Sequence, residues 1–164
     1  MDSTGDLVVF GNQGGGSSAK IVYWKYSGGV WQNPVAFNLG TYFSGYYYES
    51  PFGGAIDASG NFHFATGYGS TTTGMLYWSS LSGSPVAGTM PAGDSDSWTP
   101  GDSVALDSNG DMYNAGQAGN TLSNGNGSQL SDGVPVYWKD GIVSALPMGA
   151  GNTWGLAGWV VIGP

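Results

Sequence analysis

Residues 55–67 read AIDASGNFHFATG, and residues 105–116 repeat the pattern as ALDSNGDMYNAG. A third copy, without the leading apolar residues, stands at residues 2–11 as DSTGDLVVFG. A second shared segment follows each copy, reading IVYWK at 21–25, MLYWS at 75–79 and PVYWK at 135–139. Two segments that recur three times in the same order predict a repeat architecture.

Each repeat predicts four short antiparallel strands. An apolar first strand, such as 104–106, is joined by the D-x-x-G turn to a second strand, such as 112–115. A loop rich in Gly, Ser and Asn precedes the Tyr-Trp strand, and a tight turn such as Asp140 and Gly141 leads to a fourth strand at 142–146. Asp-Gly between apolar runs is a hairpin signal because both turn residues adopt positive φ. A meander of about 50 to 60 residues has the size of a propeller blade.

The first repeat has no first strand ahead of its turn, and the apolar segment 159–162 supplies one at the other end of the sequence. The repeats are then approximately 1–53, 54–102 and 103–158, with a closing strand at 159–164, in a single unit 1–164. One blade is therefore expected to be assembled from both ends of the chain, which covers an otherwise exposed sheet edge.

The pattern A-[IL]-D-x-x-G-[ND] in residues 55–61 and 105–111, with the strand after it, resembles the two inner strands of NHL-type propeller repeats. Residues 137–141, YWKDG, resemble the Y-W-K-N-G motif of bacterial propeller repeat proteins. The resemblance implies an all-β fold, a β-propeller of four-stranded antiparallel blades. It implies no particular activity, because these families span many functions.

Three blades are fewer than the four to eight that usually surround a propeller axis. We therefore expect a homodimer with C2 symmetry that forms a six-bladed ring. The segment 159–162 would complete a blade of its own chain or of the other copy at each seam. The alternative is that these residues are a fragment of a longer propeller, closed on itself or left to oligomerise.

Composition excludes several classes of function. The 164 residues include 31 Gly, which argues against helices because Gly in a helix interior costs about 1 kcal/mol relative to Ala. Three Lys+Arg against 11 Asp+Glu argue against nucleic acid and anionic membranes as partners. With no Cys there is neither a disulfide framework nor a thiolate metal site. Residues 1–6 are polar and unlike a signal peptide, so the sequence leaves the location unknown; an extracellular or surface-associated one is favoured, with its address outside this sequence.

The long connections, between strands two and three and between blades, emerge on one face of a meander, and variable loops on a rigid scaffold are where binding usually resides. An aromatic residue stands six positions before strand one in every repeat, with carboxylates and amides beside it. Aromatic faces flanked by such groups suit sugars, whereas the alternative is that the rings only cap the apolar space between blades. The candidate ligand-binding residues are Tyr48, Glu49, Asp94, Asp96, Trp98, Asn152 and Trp154.

The sequence thus predicts a lectin-like module that binds a glycan. A protein-interaction or structural assembly propeller is the alternative. A glycosidase is a third possibility, with its carboxylate pair drawn from Glu49, Asp94, Asp96 and Asp102. We assign no catalytic residue and no cofactor, because His63 is the only histidine and is expected to pack or make a structural hydrogen bond within a strand. No metal site is assigned either, because the Asp-rich turns lack the closing Glu of a calcium loop.

Overall fold

The computed structural model describes residues 5–14, 20–37, 53–68, 74–94, 96–98, 104–120 and 132–163. These residues form three antiparallel sheets and contain no helix, and so none that could cross a membrane. Sheet 1 consists of β1 (Leu7–Gln13), β2 (Lys20–Ser27), β3 (Val30–Trp31) and β4 (Val35–Ala36). Sheet 2 consists of β5 (Gly53–Ile56), β6 (Phe62–Tyr68), β7 (Gly74–Ser79) and β8 (Val86–Ala87). Sheet 3 consists of β9 (Asp96–Trp98), β10 (Val104–Leu106), β11 (Met112–Gly119), β12 (Val134–Lys139) and β13 (Ile142–Ala145).

The three sheets correspond to the three predicted repeats. Sheet 2 has the strand order β5-β6-β7-β8, and sheet 3 has the same order from β10 to β13. In sheet 1, β3 and β4 both pair with β2 as two pieces of an interrupted fourth strand. Among the described strands β1 pairs with β2 alone, so sheet 1 lacks its first strand. The predicted four-stranded meander is confirmed in sheets 2 and 3, and the missing first strand is confirmed in sheet 1.

Sheet 2 is packed on both of its faces. One face presents Phe64 and Trp78 to residues of sheet 1, including Ile21 and the neighbouring Phe37. The other face contributes to a cluster with sheet 3 whose largest member is Trp138. Side chains alternate between the two faces of a strand, so a sheet between two neighbours is apolar on both. The core therefore lies at two interfaces between sheets.

The Tyr-Trp strands supply the centre of this core. Trp78 is 8% exposed and Trp138 is 1% exposed, so both are core residues. Trp138 also donates its indole N–H to the carbonyl oxygen of Thr89, at 2.9 Å, in the connection between sheets 2 and 3. The corresponding Trp24 in sheet 1 is only half-buried.

The D-x-x-G turns share one hydrogen-bond pattern. The Asp57 carboxylate accepts the backbone N–H groups of Ser59 and Asn61, both at 2.8 Å. The Asp107 carboxylate accepts the N–H groups two and four residues later, at 2.9 and 3.1 Å. Asp57 and Asp107 therefore stabilise their turns through their own side chains, whereas Asp2, in the first copy, lies outside the described residues.

Glycine is required at the fourth position of these turns. The φ angles of Gly5, Gly60 and Gly110 are 82°, 85° and 84°, in the region that side chains with a Cβ rarely adopt. The three glycines therefore share one backbone conformation, although residues 1–4, ahead of Gly5, lie outside the described residues.

His63 has the structural role expected from the sequence. Its side chain is buried, and its Nε2 atom lies 3.4 Å from Oδ2 of Asp57. In sheet 3 the corresponding Tyr113 donates its hydroxyl to Oδ2 of Asp107 at 3.3 Å. The second strand thus holds the turn carboxylate in both repeats.

Two predicted loops contain strand residues. β11 continues to Gly119, so Gln117, which the sequence assigns to a loop, is a fully buried strand residue. Residues 96–98, within the predicted loop 92–102, form β9 and pair with the end of β11. The reason is length: β11 extends beyond the three residues that β10 pairs, and its remaining backbone groups require partners.

The predicted closing strand does not form within one chain. Residues 159–163 have no regular secondary structure, and Trp159 and Val161 are 72% and 85% exposed. The N–H of Gly155 donates to the carbonyl of Gly133 at 2.9 Å, and the N–H of Ala157 donates to the carbonyl of Gly116 at 3.2 Å. These bonds hold residues 155–157 on sheet 3. The expected partner of the closing strand is β1, which is the edge strand of sheet 1.

Stability should depend on pH through Asp57. Burial raises the pKa of this carboxyl, but hydrogen bonds from Asn61, His63 and Ser59 outweigh burial and hold the pKa at about 2, below the ordinary 3.8. The folded state therefore binds fewer protons than the unfolded state between these values. The stabilisation is complete above the unfolded pKa and is lost as the pH falls from about 4 towards 2.

We expect the free energy of unfolding in urea to fall less between about pH 5 and pH 2.5 in Asp57→Asn than in the unmodified chain, because the variant keeps an oxygen acceptor but does not titrate. Asp94→Asn is the matched control. Because the pKa of Asp94 is raised, protonation of its carboxyl favours the folded state, so the substitution should leave the acid-induced fall in the free energy of unfolding as steep or steeper. An equal fall for Asp57→Asn and the unmodified chain would contradict the prediction.

Candidate functional site

Three long connections meet at one end of sheet 3, where β11 ends and β12 begins. Asp94 belongs to the connection between sheets 2 and 3, and Asn120 and Asp132 flank the connection between β11 and β12. Trp154 belongs to the segment after β13. We call these four residues the sheet 3 site. Their grouping agrees with the predicted placement of the long connections on one face.

The polar part of the site is centred on Asn120. Its backbone N–H donates to both carboxylate oxygens of Asp132, at 3.1 and 3.2 Å. Its side-chain amide donates to Oδ1 of Asp94 at 3.4 Å. One asparagine therefore joins two carboxylates that are 38 positions apart in the sequence.

Gly119 allows Asp132 to approach the strand end. A Cβ at this position would lie 2.7 Å from Oδ1 of Asp132 and 3.3 Å from its carbonyl carbon. Both distances are shorter than ordinary van der Waals contact, so a side chain at 119 would displace the carboxylate. The glycine that ends β11 is thus a requirement of the site.

The two carboxylates differ in environment. Asp94 is half-buried and Asp132 is exposed. Burial and the negative charge of Asp132 together raise the pKa of Asp94 above its ordinary value. Asp94 therefore holds a proton to higher pH than a solvated aspartate does.

Trp154 is an exposed aromatic residue in the segment that follows β13. Its side chain is 42% exposed. The N–H of Gly155 donates to the carbonyl of Gly133 at 2.9 Å, which joins the residue after Trp154 to the residue after Asp132. The bond fixes the backbone of the tryptophan beside the acidic pair.

Asn152 lies two residues before Trp154 in a turn of its own. Its N–H donates to the carbonyl of Gly149 at 3.2 Å. Its side-chain nitrogen lies 3.0 Å from the position that a Cβ on Gly149 would occupy, so the amide is folded back over the turn. The structure thus places Asn152 near the site in sequence and gives it a local contact with its own turn.

The other predicted site residues are divided between two regions. Tyr48 and Glu49 lie outside the described residues. Asp96 and Trp98 belong to β9, where the register sets them opposite Gly119 and Gln117 at the same end of sheet 3. Their backbone position agrees with a location beside Asp94.

Sequence reasoning missed Asn120 and Asp132. Neither residue belongs to the repeated motifs, and the connection they flank is longer than its counterparts in the other repeats. The available signal was Asp132 followed by Gly133 directly before an apolar strand, a pattern that marks a turn and places a carboxylate at a strand end.

The arrangement offers several ways to contact a polar ligand. Carboxylate oxygens accept hydrogen bonds, a protonated carboxyl or an amide donates them, and the exposed indole provides a flat apolar face. Within the described part of the chain, no group of three or more His, Cys, Asp and Glu side chains is placed to hold a metal ion.

The interaction between the two carboxylates can be measured. We expect Asp132→Asn to lower the pKa of Asp94, because it removes one of the two causes of the shift, and to leave it above 3.8 because burial remains. Carboxyl carbon chemical shifts followed against pH by NMR would report the change. Asp140→Asn, at the tight turn between β12 and β13, should leave the titration of Asp94 unchanged, and a shift of equal size there would contradict the assignment.

No protein-family model matches the chain, and no curated protein or solved structure matches it. The resemblance to NHL-type and Y-W-K-N-G propeller repeats therefore depends on the motifs quoted above. Fold and site are argued from this chain's own strands, contacts and repeats.

Proposed function

We propose that the chain is a carbohydrate-binding, lectin-like propeller module and that the sheet 3 site receives the glycan. The observation that supports the proposal is the hydrogen bond from Gly155 to Gly133, which joins the residue after the exposed Trp154 to the residue after Asp132. An aromatic face next to hydrogen-bonding groups matches a sugar ring, which has an apolar C–H face and a rim of hydroxyls.

Charge favours a neutral glycan. The net charge is −8, and the three basic residues are all lysines. Lys25 and Lys139 form ion pairs with Asp6 and Asp111, at 2.8 and 2.6 Å. A sulfated or sialylated glycan would meet carboxylates at the sheet 3 site, and like charges repel. Neutral hexoses or N-acetylhexosamines are therefore the ligand class that we propose.

We also propose that the working form is a six-bladed ring made of two copies. Two sheet 3 sites on one rigid body would bind repeated glycans with avidity, because the second contact is made at a high effective concentration. The counterparts of the site in sheets 1 and 2 would involve residues 38–52 and 69–73, which lie outside the described residues.

A protein-interaction or structural assembly role is the second candidate function. The observation that favours it is the exposed apolar surface of sheet 1, where Trp31 is 54% exposed and Tyr26, opposite it, is 40% exposed. Exposed patches of this kind mark contact surfaces. Glycan binding and assembly use different parts of the molecule and are compatible.

The proposal assigns no catalytic step to the carboxylates. A raised pKa at Asp94 also suits the acid of a glycoside hydrolase, so turnover requires its own assay. The unmodified chain and Asp94→Asn should both be tested on chromogenic glycosides. Release of chromophore by the unmodified chain alone would identify the protein as a glycosidase and not a lectin.

The binding experiment begins with a glycan array and continues by calorimetry on the best ligand in soluble, monovalent form. We expect Trp154→Ala to weaken the monovalent interaction about tenfold, equivalent to about 1.4 kcal/mol, because the stacking face is lost. Trp31→Ala is the matched control, since Trp31 is exposed to a similar extent but lies on sheet 1. Absence of binding to any glycan, or equal losses in the two variants, would overturn the proposal.

A further inference from the structure

One cross-strand pair occurs at the same place in all three sheets. Phe64 lies opposite Trp78 in sheet 2, and Asn114 lies opposite Trp138 in sheet 3. Val9 lies opposite Trp24 in sheet 1. In sheets 2 and 3 the face that carries this pair packs against the preceding sheet, and the four residues are buried. The pair therefore marks the face of a sheet that packs against the preceding sheet in this fold.

In sheet 1 the same face is partly open, since Val22 is buried there but Trp24 is only half-buried. Leu7, Val9 and Tyr26 are 46%, 41% and 40% exposed, and the register places them with Trp24 on one side of the sheet. Val9, Trp24 and Trp31 line an open pocket of about 300 Å³. Three neighbouring apolar side chains at 40% exposure or more are unusual on a face whose counterparts are buried.

The complementary surface is present on sheet 3. Tyr23 of sheet 1 stacks on Phe62 of the next sheet with ring centroids 4.6 Å apart, and Tyr77 of sheet 2 packs against the cluster shared with sheet 3. Tyr137 is the third tyrosine of this series and belongs to the outer side of sheet 3. Ile142, at the start of the adjacent strand, is 62% exposed.

The segment that follows β13 of sheet 3 leaves exposed an apolar side chain whose counterpart after sheet 2 is packed. The N–H of Gly88 donates to Met75 and the N–H of Leu146 donates to Pro135, so residues 88 and 146 correspond. Two residues later, Met90 packs against the cluster between sheets 2 and 3, whereas Met148 is 37% exposed. Sheet 3 therefore has the side chains for another interface, without a following sheet to meet them.

The edge of sheet 1 lacks the strand that residues 159–162 could supply. In sheet 3 the first strand pairs Val104 with Asn114. Asn114 corresponds to Val9, and Val104 corresponds to Val160 when the apolar segments 104–106 and 160–162 are aligned. The register therefore predicts Val160 opposite Val9 and, two residues on, Ile162 opposite Leu7.

We propose that the open face and the β1 edge of sheet 1 are the docking surface for sheet 3 and residues 159–162 of a second copy of this chain. The inference rests on the six-bladed homodimer proposed above, names the surfaces that close it, and is independent of glycan binding. The occupant is a second copy because this chain carries both unmatched surfaces and the segment that corresponds to the missing strand.

Trp138 provides a model for a polar contact across this seam, whereas the indole N–H of its counterpart Trp78 has no hydrogen-bond partner among the described residues. The indole N–H of Trp138 donates to the carbonyl of Thr89, the residue after Gly88. The corresponding residue after Leu146 is Pro147. At the seam, the indole N–H of Trp24 would therefore donate to the carbonyl of Pro147 from the second copy.

Size-exclusion chromatography with light scattering on the 164-residue chain tests the docking. We expect twice the mass of one 16.8 kDa chain. Val9→Asp, which places a charge in the seam, should raise the dimer dissociation constant at least about hundredfold. Leu81→Asp is the matched control, because Leu81 is 69% exposed in a turn of sheet 2 and should leave the dimer intact. A monomer or a trimer for the unmodified chain, or equal effects of the two variants, would overturn the proposal.

A disulfide tests the register and the exchange of strands. The chain has no Cys, so a Val9→Cys/Val160→Cys double variant has only these two thiols per chain, and the two single variants, which cannot form a 9–160 bond, are its controls. We expect oxidation to give a covalent dimer on non-reducing gels. A disulfide within one chain would refute exchange between copies, and a failure to oxidise would refute the register. Failure of glycan binding would leave the mass and the cross-link unchanged, so the two proposals can fail separately.

Discussion

Burial of one tryptophan per repeat against the preceding sheet is the interaction on which the remainder of the structure depends. A four-stranded sheet that is apolar on both faces cannot hide those faces alone, and it is stabilised by neighbours. Trp78 and Trp138 each occupy the interface with the sheet before, and a buried aromatic side chain removes about 150 to 250 Å² from water. Sheet 2 is the only one of the three described sheets with both neighbours present.

This constraint separates two kinds of surface. The faces of the sheets are used for packing, whereas the ends of the strands are free to carry polar groups. The acidic pair and Trp154 lie at a strand end, and their positions are set by backbone hydrogen bonds such as Gly155 to Gly133. Ligand binding at this end therefore does not compete with packing between sheets.

The parts of the fold that the sequence predicts are those in which a single residue type is physically required. The D-x-x-G turn needs glycine at positive φ and a carboxylate that accepts local N–H groups, so Asp57 and Gly60 identify it without tertiary information. Tyr-Trp strands identify the core for a similar reason, because a large apolar ring in a strand must be covered.

The parts that the sequence does not predict depend on contacts between distant segments. β9 forms because β11 is longer than β10, and no local pattern in residues 96–98 reveals that. Asn120 and Asp132 become a pair only when both ends of a long connection meet. The conformation of residues 159–163 depends on which sheet edge lies close enough for them to pair with.

Glycines at the interfaces carry a further consequence. A Cβ on Gly54 would lie 2.6 Å from the ring of Phe10, and one on Gly88 would lie 3.1 Å from Nε1 of Trp138. Absent side chains at these positions let adjacent sheets approach closely and so determine the angle between them. In a ring of six sheets each sheet turns by about 60°, and a wider or narrower angle would close with a different number of chains or continue as a filament. In the proposed ring, side-chain volume at a few positions between the sheets would thus set the copy number.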